Sequence, residues 1–121
     1  MNKFRHEDYS LFKDILNKMK MDEERELESI SLRLSEILEN GKDENNTDTT
    51  SYSMQVENLI NTKNRIAKHL KYINNALQRI ENKTYGICIE TGNRIPKERL
   101  IAVPTTTMSI EGKQLREKRN N

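Results

Sequence analysis

The sequence predicts a mostly α fold: a long antiparallel helical hairpin, paired as a coiled coil, standing on a small base with a C-terminal helix. Three observations lead there. Apolar residues recur at steps of three and four along two long segments. The two segments are of similar length and are joined by a short polar connector, which is the pattern of a helical hairpin. The composition, 33% hydrophobic and 33% charged with four Tyr, two Phe and no Trp, is too lean for a broad core but suits a narrow buried stripe.

The first arm is read over residues 8–40. Phe12, Ile15, Leu16 and Met19 open its stripe, and Leu27, Ile30, Leu34 and Ile37 continue it. Between them Asp22-Glu23-Glu24-Arg25-Glu26 shifts the seam by about a residue, as a stutter would. Gly41 is a plausible helix stop. The second arm, residues 52–82, is more regular: Tyr52, Val56, Leu59, Lys63, Ile66, Leu70, Ile73, Leu77 and Ile80 form an a/d seam that only Lys63 interrupts. At about 1.5 Å per residue each arm runs roughly 45–50 Å. The tip, residues 41–51, has no apolar residue, with Thr49, Thr50 and Ser51 as candidate helix caps. Residues 1–82 are thus the hairpin, and residues 83–121 the base and last helix.

In the base, Tyr85–Glu90 looks extended, Thr91-Gly92-Asn93 looks like a turn, and Pro96 is placed first in a short helical turn through Leu100. Val103-Pro104 ends that turn, and a last helix starts near Ser109. Tyr85, Ile87, Ile89, Ile95, Leu100, Ile101, Val103, Met108 and Ile110 are the apolar groups available to pack the base.

Charge argues for pairing within one chain. Residues 8–40 hold nine acids against five bases, and residues 52–82 two acids against five bases. Opposite arms favour an internal partner, hence a monomer. The net charge of +2 excludes a strong polyanion binder. Cys88 is the single cysteine, so there is no internal disulfide, and it is expected to be a small buried residue. No apolar run reaches the roughly 18 residues of a membrane span, and no signal-peptide pattern opens the chain, which points to the cytoplasm. His6 and His69 have no nucleophile or acid partner in motif spacing, and no Gly-rich phosphate loop is present, so an enzyme is not expected. The basic tail with Lys113, Arg116, Lys118 and Arg119 lacks aromatic interleaving and reads as a solvated helix.

Arg79-Ile80-Glu81-Asn82-Lys83-Thr84-Tyr85-Gly86-Ile87-Cys88 resembles the helix end "ALxRIExGTYGxC" of the DksA/TraR family. That family continues "C-x-x-C-G-x-x-I-x-x-x-R-L-x-A-x-P-x-x-x-x-C-x-x-C". The counterparts here are Gly92, Ile95, Arg99-Leu100, Ala102 and Pro104, in order and spacing over about 45 residues. The resemblance places the four zinc ligands at Cys88, Thr91, Ser109 and Gly112, three of which have lost the thiolate. It therefore implies a degenerate zinc finger without metal or other cofactor, in which the Thr91 and Ser109 hydroxyls replace two sulfurs by local hydrogen bonds.

The resemblance also implies a function. Members of this bacterial family bind RNA polymerase and insert the coiled-coil tip through its secondary channel toward the active site, without sequence-specific DNA binding. Their two tip aspartates fall on Asn45 and Asp48, so Asp48 matches and Asn45 does not; Asp43 and Glu44 lie beside it. Arg65, Arg99 and Lys113 are the candidate partner-binding residues. At the relatives' second alarmone site Lys113 matches, but Val103 and Tyr72 replace basic residues, and alarmone binding there is not expected. Two other readings stay open: an interaction hairpin for a different partner, and a transcript-cleavage cofactor of the Gre type.

Overall fold

The computed structural model describes residues 4–40 and 49–120. They form four helices: α1 (His6–Asn40), α2 (Thr49–Glu81), α3 (Lys97–Ala102) and α4 (Ile110–Asn120). They gather into two compact units, one within Met1–Lys20 and Tyr72–Asn121, the other within Met21–Lys71.

In the unit within Met21–Lys71, Leu34 and Ile66 are buried, while Leu27, Ile30 and Ile37 of α1 and Tyr52, Val56, Leu59, Lys63 and Leu70 of α2 are half-buried. The heptad reading of the seam therefore holds, including the partly covered Lys63, whose stem can lie along the seam while its ammonium reaches water. The acidic stretch has a partner. Glu23 turns inward where the seam shifts, and its Oε1 lies 2.9 Å from Nδ1 of His69. α2 starts at Thr49, so Thr50 and Ser51 sit inside its first turn rather than capping it.

In the other unit, Phe12 and Leu16 of α1 and Ile73, Ala76 and Ile80 of α2 are buried. The arms run antiparallel: Lys13 pairs with Glu81 at 3.2 Å, and the Tyr9 hydroxyl donates to the Lys83 carbonyl at 3.4 Å. Residues ahead of the first arm also enter this core. Phe4 is buried edge-on to Phe12 at 5.5 Å, and Phe12 lies against Tyr85 at 5.3 Å.

The end of α2 is set by Lys83, whose φ is 60°. Lys83 N–H donates to the Ile80 carbonyl and Thr84 N–H to the Arg79 carbonyl, which is the paired bonding of a Schellman cap. A side chain in this left-handed conformation costs about 1–2 kcal/mol, more than the ~0.5–1 kcal/mol of extra unfolded-state freedom a glycine brings. Lys83→Gly is therefore expected to stabilise the chain by about 0.5–1 kcal/mol in a denaturant titration. A loss of stability would mean that the strain is already relieved.

Two readings of the base are corrected. Tyr85–Glu90 is not extended: among the described residues the only β-pairing recorded is an isolated antiparallel bridge between Ile87 and Arg94. Gly86 (φ 82°) and Gly92 (φ 74°) bend the chain, and Gly92 N–H bonds back to the Cys88 carbonyl, so no run is long enough for a ladder. Pro96 is the residue before α3, with ψ 140°, and not its first helical position. Its carbonyl accepts from Arg99 and Leu100, which starts the helix without a side-chain cap.

The core of the base is also smaller than the sequence suggests. Tyr85, Cys88, Ile95 and Leu100 are buried, but Ile89, Ile101, Val103 and Ile110 are all more than 40% exposed. Phe4 and Tyr9 take their place in this unit's core. The Tyr85 hydroxyl donates to the Pro104 carbonyl at 2.7 Å, which fastens the chain after α3 to the end of α2.

Candidate functional site in the base and at the tip

The tip residues Asp43, Glu44, Asn45 and Asp48 lie outside the described residues. The base is described in full from Lys83 to Asn120. Its turn at Cys88–Gly92 is closed by Cys88 N–H to the Asn93 carbonyl at 2.8 Å and by Asn93 N–H to Thr91 Oγ1 at 3.1 Å. Ile89 N–H donates to the Thr107 carbonyl and so holds the turn beside the segment that leads into α4.

The four family zinc positions come together. Ser109 stands just before α4 and caps it: its Oγ accepts from Gly112 N–H at 3.0 Å, three residues on, as an N-cap serine does. The same hydroxyl donates to Cys88 Sγ at 3.5 Å. Gly112 is buried, and a Cβ built there would collide with Cys88 Sγ and stand 3.3 Å from Ser109 Oγ. The Cys88 thiol feels opposed effects. Burial pushes it up, but hydrogen bonds from Thr91 and Ser109, side chain and backbone, outweigh burial and bring it to about 6.

These residues do not fit zinc. Tetrahedral zinc takes thiolates, imidazoles or carboxylates, and the set offers one thiol, two hydroxyls and a glycine. A side chain at residue 112 that could bring a fourth sulfur would need a Cβ, and a Cβ there would run into Cys88 Sγ. The hydroxyls instead make the local bonds expected of them, Ser109 to the helix and the thiol, Thr91 within the turn.

The candidate partner residues are dispersed. Arg65 is exposed on α2, within the Met21–Lys71 unit. Arg99 is half-buried, and its Nε donates to the Met108 carbonyl at 2.8 Å, so part of its guanidinium joins α3 to the approach of α4. It also lines an open groove of about 660 Å³ with Pro96, Ala102 and Ile110. Lys113 is exposed on α4.

Sequence reasoning missed a second cluster. Glu90 Oε1 accepts from Arg116 Nε at 2.9 Å and from Arg119 at 3.0 Å. Hydrogen bonds and charge from Arg119 and Arg116 hold its carboxyl below the usual carboxylate range, against the opposing effect of burial. The signal was present: two arginines three apart share one helix face, and Glu90 is the one acid between residues 82 and 97. Elsewhere in this unit Asp8 meets Lys97 at 3.1 Å and Arg94 at 4.0 Å, and Arg94 lies over the Phe4 ring at 3.9 Å.

The profile described as prokaryotic dksA/traR C4-type zinc finger matches residues 83–118. The chain is 43% identical over 60 residues to the RNA polymerase-binding transcription factor DksA of Caulobacter vibrioides, a match covering 50% of this chain and 42% of that protein. It is 36% identical over 91 residues to general stress protein 16O of Bacillus subtilis, covering 74% of this chain and 54% of that one. These matches span about half the length of the curated relatives. The structure of transcription factor DksA2 from Pseudomonas aeruginosa is similar with a TM-score of 0.86 at 29% identity, over 95% of this chain and 87% of that one. With the two long arms, the Tyr85-Gly86-Ile87-Cys88 turn and the ordered Arg99, Leu100 and Pro104 in place, this chain shares the zinc-finger profile, the sequence order and the fold of the DksA/TraR family.

Proposed function

We propose that this chain is a transcription regulator that binds RNA polymerase as a monomer and carries the acidic hairpin tip through the secondary channel toward the active site. The observation that supports it most is the fold: α1 and α2, of 35 and 33 residues, belong to a structure similar over nearly the whole chain to a transcription factor. Helices of that length extend about 50 Å each, enough to carry the connector carboxylates Asp43, Glu44 and Asp48 deep into a channel. There, beside a catalytic Mg²⁺ and basic side chains, a carboxylate alters metal or substrate geometry. Arg65, Arg99 and Lys113 contribute to polymerase contact, and neither catalysis by the chain itself nor sequence-specific DNA binding is part of the proposal.

Asparagine at position 45 favours a second reading, an interaction hairpin for another partner, because it removes one of the two tip acids of the family pattern. One experiment separates the two. Asp48→Asn should leave polymerase binding nearly unchanged and lower the effect on promoter-specific transcription by about tenfold, the loss of one charge-assisted contact. Adding Asp43→Asn and Glu44→Gln tests compensation by the neighbours. A triple variant that regulates as well as the wild type would reduce the tip to a turn and transfer the case to the interaction hairpin.

A further inference from the structure

Helix α4 poses a physical question. It has 11 residues, too few to persist alone in water, so tertiary contact must hold it. Its apolar side chains do not provide that contact: Ile110 is 59% exposed, Leu115 is 53% exposed, and its buried residue is Gly112. The family's metal would tie the turn at residue 88 to the start of α4, but the residues here cannot hold one. Ser109 and Cys88 close the N-terminal end of α4 with one weak bond to sulfur at 3.5 Å.

Ile89 N–H and Arg99 Nε hold the carbonyls of Thr107 and Met108 just ahead of α4, and along the helix itself what remains is Glu90. Its side chain is 9% exposed, and one of its oxygens receives both Arg116 and Arg119, from successive turns of α4. Both arginines are partly open to water, at 42% and 65% exposure, so ions can reach the cluster. We infer that Glu90, Arg116 and Arg119 form an ionic latch that holds α4 on the base in place of a metal, with a grip set by ionic strength. A zinc–thiolate joint ignores moderate salt, whereas partly exposed ion pairs are screened by it. The latch also orients Lys113, one turn before Arg116, so the basic face of α4 is presented only while it is shut. The inference stands independently of any polymerase reading.

The test is amide hydrogen exchange on the full chain, read for residues 113–119. In the wild type, raising salt from about 0.05 M to about 1 M should speed exchange in α4 by about tenfold, while EDTA changes nothing. Glu90→Gln, which keeps the shape and removes the charge, should speed α4 exchange by about tenfold at low salt and abolish the salt response. Amides within Met21–Lys71 report whether that variant is still folded. Arg116→Lys with Arg119→Lys keeps the charges and loses the fork, so it should retain a salt response with weaker protection. Wild-type protection in Glu90→Gln, a salt response that survives in it, or loss of α4 protection with EDTA would each overturn the latch.

Discussion

Gly86→Ala is expected to destabilise the chain by about 2–5 kcal/mol. Two costs add. The backbone at Gly86 has φ 82°, where a Cβ costs about 1–2 kcal/mol. That Cβ would also collide with the Phe4 ring and meet Leu100 Cδ1 at 3.4 Å, in a core where overpacking costs about 1–3 kcal/mol. The ring cannot swing aside, because Phe12 and Tyr9 pack on it and Arg94 covers it. For a chain of this size the melting temperature should fall by roughly 10–20 °C. Phe4→Leu in the same background should recover the steric part and leave the backbone part. A drop of only a few tenths of a kcal/mol would show that Phe4 does not press on this turn.

Gly112→Ala tests the closed metal position. Replacing a glycine inside a helix normally gains about 1 kcal/mol. Here the added methyl would run into Cys88 Sγ, which is 1% exposed and held between Thr91 and Ser109. Overpacking of about 1–3 kcal/mol outweighs that gain, and Gly112→Ala should be destabilising by up to about 2 kcal/mol net. Cys88→Ala removes the sulfur, so the double variant should be more stable than Gly112→Ala alone and release the helix gain. Urea titrations of the four proteins give this coupling directly. Stabilisation by Gly112→Ala on its own would mean that the pocket of the lost ligand is open.

The hairpin was readable because both its seams are periodic: each residue assigned to them, from Phe12 to Ile80, is buried or half-buried. The base was readable in order and spacing through the resemblance, but not in packing. Phe4 has no periodic context, and nothing in one sequence says that residues ahead of a helix fold back onto a turn some eighty positions later. Ile89, Ile101, Val103 and Ile110 are apolar and so candidates for the core, yet a small base lacks the volume to cover them all. The Glu90 cluster was hidden by reading Arg116 and Arg119 as a solvated tail. Spacing shows that they share a face, and only the fold shows what that face meets.

The unit that joins Met1–Lys20 to Tyr72–Asn121 has a consequence for how the chain is made. Phe4, Tyr9 and Phe12 leave the ribosome early, whereas Tyr85, Ile95 and Leu100, which complete their core, leave late. At about 5–20 residues per second, the aromatic cluster waits on the order of 5–20 s for its cover. The stretch Met21–Lys71 waits less, because its two arms lie closer together along the chain. Synthesis therefore completes the stretch Met21–Lys71 before the core that Phe4, Tyr9 and Phe12 share with Tyr85, Ile95 and Leu100.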